Sequence, residues 1–205
     1  MAQLITRLMP FRDIDEKDKI NTFSLNIASG EAGSFVKVIA GDFSKDPVQY
    51  VNSSYFVNEM GFATSQYPEV PQKVGLTGGT GDAGLVLGMI LNDVRNTDEN
   101  GEKLHFYPQK KAELQCVVSG EAVPIATQGI VDLFVPRAVE GGVVPTVGMA
   151  AVLGANGKVT GVAYSALSAE QKNAVVGSFI GTGNRESQQT TDALAGAYAR
   201  LKFSV

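Results

Sequence analysis

Apolar and polar residues alternate with a period of two through residues 112–136, the stretch from which the rest of the chain is read. Ala112, Leu114, Cys116 and Val118 fall on one face, against Glu113, Gln115 and Ser119. After Gly120-Glu121 the alternation resumes with Val123 and Ile125, changes register at Gly129, and continues through Val131, Leu133 and Val135 against Asp132. This is the pattern of half-buried antiparallel strands interrupted by glycine turns or bulges. The same pattern recurs on both sides. Phe23, Leu25 and Ile27 alternate before a turn at Ser29-Gly30, and Phe35-Val36-Lys37-Val38-Ile39 reads as a strand ended by Gly41. Val74-Gly75-Leu76 is a further strand, residues 85–94 follow a glycine loop, and 143–152 is an apolar run. At the end of the chain Ala197, Ala199, Leu201, Phe203 and Val205 share one face, opposite Tyr198, Arg200, Lys202 and Ser204. So regular a strand is expected to pair into the sheet.

Turn chemistry sets the punctuation. Asn100-Gly101 and Asn156-Gly157 are predicted hairpin tips, because both central residues of a type I′ turn need φ > 0. Leu104 and Phe106 would alternate with Lys103 and His105 in the strand returning from the first tip, and Lys158-Val159-Thr160 would return from the second. Ser168-Ala-Glu170-Gln171 can cap one short helix. Residues 176–181 read as a short strand and 183–192 as a polar surface loop. Pro68 and Pro71 make 66–72 a loop, while 50–63 mixes aromatics with Asn and Ser and has no assigned element. The expected fold is therefore mainly β, an antiparallel barrel or sandwich with little helix. Its β-rich domain would span 25–205, with a possible sub-boundary near 66–73.

Residues 1–24 stand apart as the most charged part of the chain, with Pro10 interrupting any helix. They read as an extended arm. A frayed terminus is the plainer reading, but Leu4, Ile5, Leu8, Met9, Phe11 and Ile14 are spaced apolar residues that a solubilising tail does not need. Leu4, Ile5, Leu8, Phe11 and Ile14 are the candidate interface, able to lie along a partner or to pack on the chain's own domain. Asp13-x-Asp15 opens like a calcium loop, but Asp18 stands where such a loop needs glycine and Ser24 where it needs a bidentate glutamate.

Composition narrows the function classes. The chain has 205 residues, 44% hydrophobic and 19% charged, with 23 glycines, which suits short strands joined by tight turns. A net charge of −4 and the lack of a Lys/Arg cluster argue against nucleic-acid binding. No apolar run is long enough to span a bilayer, and the N-terminus lacks an apolar stretch of signal-peptide length. The expectation is a protein made in a reducing cytoplasm, or assembled there. Cys116 is the only cysteine, on the apolar face of an expected strand, and reads as a core residue. One Cys and one His cannot make a His/Cys zinc site.

Three places could carry chemistry. Gly79-Thr80-Gly81-Asp82-Ala83-Gly84, after Gly78, matches G-x-G-x-x-G, with Asp98, Glu99 and Glu102 at a distance suited to a ribose contact. That fingerprint needs a following helix, whereas the following residues carry Gly88 and soon meet Asn92-Asp93, so a plain β loop is the better reading. No Lys-Ser/Thr follows the glycines, which excludes a P-loop. His105, the only histidine, has no neighbouring Cys or carboxylate pattern and reads as a surface strand residue. Glu113 and Glu121 are possible acid–base partners, but solvated faces explain both more simply. The expectation is no enzyme, no cofactor and no metal.

The order of features then becomes recognisable. Ala122-Val123-Pro124-Ile125-Ala126-Thr127-Gln128-Gly129-Ile130 is followed by Pro145-Thr146-Val147-Gly148-Met149, Asn156-Gly157-Lys158-Val159-Thr160, Val175-Val176-Gly177-Ser178-Phe179-Ile180-Gly181-Thr182-Gly183 and the strand from Ala197 to Val205. This series, over roughly residues 74–205, resembles the small β-barrel capsid decoration (cement, or head-stabilising) proteins of tailed bacteriophages. The resemblance implies a structural virion protein on the outer surface of an icosahedral capsid, bridging major capsid subunits, often as a homotrimer. It transfers no functional residue. The alternatives are another phage structural β module (tail, fibre, baseplate or minor capsid), or a β-barrel ligand-binding protein or enzyme using the loop from Gly78 to Gly84.

Overall fold

The computed structural model describes residues 8–10, 20–25, 27–40, 73–186 and 195–205. The strands before the midpoint are β1 (Leu8–Pro10), β2 (Ile20–Leu25), β3 (Phe35–Ala40), β4 (Lys73–Leu76), β5 (Val86–Ile90) and β6 (Asp93–Val94). They are followed by β7 (Cys116–Val117), β8 (Ala122–Ala126), β9 (Gln128–Phe134), β10 (Ala150–Leu153), β11 (Val159–Val162), β12 (Val175–Arg185) and β13 (Gly196–Ser204). β2, β4, β3, β5 and β8 close in that order into a barrel, while β1-β9-β13-β12-β10-β11 form a six-stranded sheet. β6 and β7 make a small parallel pair. The protein is thus mainly β, with three short α-helices among the described residues: α1 (Pro108–Glu113), α2 (Val135–Ala138) and α3 (Ala169–Asn173).

The two layers are joined at Thr127, where β8 leaves the barrel and β9 enters the sheet; the Val205 N–H donates to the Thr127 carbonyl at 3.0 Å. Strands of the barrel that face the sheet are buried on both sides. Phe35 and Val36, Met89 and Ile90, and Ile125 and Ala126 are consecutive pairs in which every residue is fully buried. Val36, Ile90 and Ile125 pack with Val74, Val94 and Val123 in the smaller core. Phe35, Met89 and Ala126 point the other way and share the larger core with Val131, Leu133, Phe179, Leu201 and Phe203 of the sheet. Phe35 meets Phe203 edge to face at 5.8 Å, the geometry that ring quadrupoles favour. Two-sided burial is why the alternation is blurred in these strands.

In the sheet, β9 and β13 keep a clean alternation because their other face is more open, whereas β10 is buried at all four positions. Val131 and Leu133 point inward between Ile130 and Asp132, and on β13 Ala199, Leu201 and Phe203 are buried while Lys202 is exposed. Asp132 and Arg200 are cross-strand partners, and the guanidinium donates to both carboxylate oxygens, at 2.7 and 2.8 Å. α3 lies against β10, and its Ser168 and Gln171 form the expected capping box: the Gln171 N–H donates to Ser168 Oγ at 3.2 Å and the Ser168 N–H to Gln171 Oε1 at 3.0 Å.

Close approach explains two glycines. A Cβ at Gly88 would collide with the Ala126 carbonyl oxygen, so β5 and β8 approach this closely only with glycine there. Gly157 has φ +71°, and its Cβ would stand 2.8 Å from the Phe35 carbonyl oxygen and 2.9 Å from Ser34 Cβ. The β10–β11 turn is therefore seated on the barrel, and the Gly157 N–H donates to the Thr77 carbonyl at 3.0 Å.

Several expectations are corrected. The boundary at residue 24 falls inside β2, which pairs with β8 from Ile20 to Ser24, so 20–24 belong to the barrel rather than to an arm. The dense charge of 13–19 stops before Ile20-Asn21-Thr22-Phe23, which has the β-branched and aromatic content of a strand. The sub-boundary near 66–73 does not divide two barrels, since β2 and β3 before it and β4 after it share one. The strand expected after Asn100-Gly101 is instead a 3-10 turn, Leu104–Phe106, running into α1. Ala112 and Glu113 lie at the helix end and only Cys116–Val117 is strand, so the alternation of 112–118 came from a helix terminus. Of the apolar run 143–152, only Ala150 onward is strand, and β12 continues through Arg185 into the expected loop. Residues 50–63 lie outside the described residues.

Candidate functional site

The apolar loop 143–149 is the part of the surface best placed to meet a partner. It enters β10 between β11 and β12, and hydrogen bonds fix it to the sheet. The Gly148 N–H donates to the Phe179 carbonyl at 2.8 Å, and the Phe179 N–H donates to the Met149 carbonyl at 2.9 Å. Pro145 lies across Gly161, where a Cβ would stand 2.7 Å from Pro145 Cβ; glycine lets the loop press onto β11. With its backbone so held, the loop turns Val143 (69% exposed), Val144 and Val147 (57%) to solvent. Single exposed aliphatics are ordinary, but a run of them on a fixed loop is the feature of an interaction surface.

An open strand edge lies beside this loop. β10 covers β12 from Val175 to Ser178, and the 148–149 backbone covers Phe179. Among the described residues, β12 beyond Phe179 pairs only with β13. Among the described residues, its other edge has no strand partner along Gly181-Thr182-Gly183-Asn184-Arg185, after a register shift next to the exposed Ile180. Such an edge can accept an added strand, with main-chain hydrogen bonds supplying affinity and flanking apolar residues supplying a floor. A second exposed apolar feature is the turn at Phe106 (70% exposed) and Tyr107, with the His105 ring edge-on to Phe106 at 5.4 Å.

The residues singled out from sequence are scattered. Leu8 lies in β1, opposite Leu133 of β9. Leu4, Ile5, Phe11 and Ile14, with Asp13 and Asp15, lie outside the described residues. His105 sits exposed in the 3-10 turn rather than in a strand. Cys116 is buried, its thiol set toward the Lys111 carbonyl at 3.8 Å, and burial pushes its pKa up, which favours an inert thiol. Glu121 is engaged by Lys111 Nζ at 2.7 Å and by the Val118 N–H at 2.9 Å, whereas Glu113 is exposed at the end of α1. The structure therefore gives this pair no shared acid–base site.

The glycine loop is also held by its own contacts. Thr80–Leu85 is a 3-10 turn followed directly by β5, so no helix N-terminus stands behind it to receive a pyrophosphate. Asp82 accepts from Lys37 Nζ at 2.7 Å and from the Gly78 N–H at 2.6 Å, and these bonds, the Lys37 one foremost, hold its carboxyl below the usual aspartate range. The loop carboxylate is thus used to pin the turn to β3.

Among the described residues no three His, Cys, Asp or Glu side chains gather as a metal site, and no helix is long and apolar enough to cross a membrane. The signal for the 143–149 surface is present in sequence as part of the apolar run 143–152, but nothing local shows that the ladder starts at Ala150 and leaves 143–149 outside it. The chain matches no family model, no curated protein and no solved structure.

Proposed function

We propose that the protein is a structural virion protein that binds the outer surface of an icosahedral phage capsid and stabilises it by bridging major capsid subunits. The observation that carries this reading is the fixed apolar loop 143–149 beside the open edge of β12. Pro145-Thr146-Val147-Gly148-Met149 and Val175 to Gly183, two stretches on which the resemblance to decoration proteins rests, contribute to that surface. A protein whose exposed apolar groups are held by a sheet loses little conformational entropy on docking, which suits a passive clamp. Bound across two subunits, it stabilises the assembled shell over the separated one by mass action. The resemblance further implies a homotrimer around a local symmetry axis.

The test uses shells of the matching major capsid protein from which the protein has been stripped. Purified chain is added back, and electron microscopy is combined with thermal rupture of the shells. The expected outcome is ordered density on the outer surface and a higher rupture temperature. Absence of binding at saturating protein, with the chain folded, overturns the proposal.

A further inference from the structure

The chain carries two Asn-Gly sequences, Asn100-Gly101 and Asn156-Gly157, and the fold treats them differently. Asn-Gly is the sequence most open to intramolecular deamidation, because glycine leaves the following backbone nitrogen unshielded. In that reaction the glycine backbone nitrogen loses its proton to solvent and attacks the asparagine Cγ. A C–N bond forms, the bond to the side-chain nitrogen breaks, and ammonia leaves, giving a five-membered succinimide. Water then adds to one of the two ring carbonyls and opens the ring to aspartate or isoaspartate. No reagent other than water is consumed.

Both asparagines are exposed, and both glycines have positive φ, +84° at Gly101 and +71° at Gly157. The difference lies at the attacking nitrogen. Gly157 is buried, its N–H donates to the Thr77 carbonyl at 3.0 Å, and its α-carbon faces the Phe35 carbonyl and Ser34. The Gly154 N–H bond to the Lys158 carbonyl, at 2.9 Å, closes the same turn. Bringing the Asn156 Cγ onto that nitrogen requires lifting the turn off the barrel. At Gly101, by contrast, no heavy atom other than those of the glycine and its two chain neighbours lies within 4 Å of where a Cβ would stand, and among the described residues the N–H bonds only to the Asp98 carbonyl, at 3.2 Å within the same turn. The Asp98 carboxylate, which accepts from the Asn100 and Glu102 N–H groups at 2.8 Å each, opposes deprotonation nearby. It does not bury the nitrogen or block the approach of Cγ.

We propose that Asn100 is a spontaneous deamidation site of the folded protein and that Asn156 is held unreactive by the seating of its turn on the barrel. Asn156 is thereby a built-in reporter of the junction between barrel and sheet, since it reacts only when that junction opens. Asn100 acquires a second carboxylate beside Asp98 as the protein ages.

The test is to incubate the full chain, folded, in mildly alkaline buffer and to follow both peptides by mass spectrometry with isoaspartate labelling. A parallel sample is held in denaturant. In denaturant the two sites are expected to convert at similar rates. In the folded chain Asn100 keeps a rate within about tenfold of its denatured one, while Asn156 slows by more than about tenfold, a factor that corresponds to an opening cost above about 1.4 kcal/mol. Equal folded-state rates, or faster conversion at Asn156, overturn the protection. Loss of conversion at Asn100 in the folded chain overturns its assignment as the reactive site.

Discussion

The barrel and the six-stranded sheet are made of the same residue types but are assembled by opposite strategies. Most of the sheet comes from neighbouring sequence: β10 pairs antiparallel with β11 and β12 with β13, and β9 and β13 each keep one core face and one more open face, while all four residues of β10 are buried. The barrel gathers strands of four to six residues from positions 20 to 126, closes through a parallel pairing of β2 with β4, and shifts register twice along β3. What the difference teaches is that one-sided burial, as in β9 and β13, yields legible alternation, whereas two-sided burial, as in the barrel strands that face the sheet and in β10, does not. The barrel is the support, and the sheet carries the candidate interface.

If the two regions are one cooperative body, a wound in either core must melt both. Phe179 is fully buried in the core shared by sheet and barrel, and Phe179→Ala is expected to cost about 4 kcal/mol. Ile125, in the smaller barrel core, should cost about 3 kcal/mol on Ile125→Ala. Denaturant unfolding followed by tyrosine fluorescence and by far-UV circular dichroism should show one coincident transition in both variants. Two separated transitions would break the body into independent halves.

The junction itself is probed by its glycine. Gly157→Val places a β-branched side chain at positive φ and against the Phe35 carbonyl, and should cost about 2–3 kcal/mol. Gly101→Val meets open space at its positive φ and should cost about 1 kcal/mol. Urea melts of the two variants give the order directly, and equal losses would remove the special seating of the 154–158 turn.

The smallest effect is expected at the glycine loop. Asp82 is held below the ordinary aspartate value of 3.8 by Lys37 first and then by the Gly78 N–H. A lowered folded pKa contributes stability that is fully present above 3.8 and is lost as pH falls through the lower folded value. Asp82→Asn should therefore lower the melting temperature slightly at neutral pH, by less than about 1 kcal/mol in stability. The gap to the unsubstituted protein should close in acid. A gap that widens on acidification would show that the pair does not act as described.

How much of this was legible follows from how local each determinant is. β9 and β13 were readable because Val131, Leu133, Leu201 and Phe203 alternate against polar residues over the whole strand. The capping box at Ser168 and the turn at Asn156-Gly157 were readable because each is decided by residues within a few positions. α1 is masked in the sequence: Pro108 at its first turn, followed by Gln109, Lys110 and Lys111, is a helix-start signal, but the alternation of Leu114, Cys116 and Val118 beyond it has the period of a strand. The parallel closure of β2 on β4 depends on contacts between distant segments, and no local pattern announces it. The candidate surface was hidden for a related reason. Val143, Val144 and Val147 look like core residues until the sheet's end at Ala150 places them outside it.

The most direct measurement is co-sedimentation of the chain with stripped capsid shells, comparing the unsubstituted protein with Val147→Asp. Val147 is 57% exposed, so the substitution should leave the melting temperature within experimental error while placing a charge in the middle of the apolar loop. The expected result is that the unsubstituted protein pellets with the shells and Val147→Asp remains in the supernatant. Equal pelleting of both proteins would contradict the assignment of the 143–149 surface as the docking site, and pelleting of neither would contradict the proposed function.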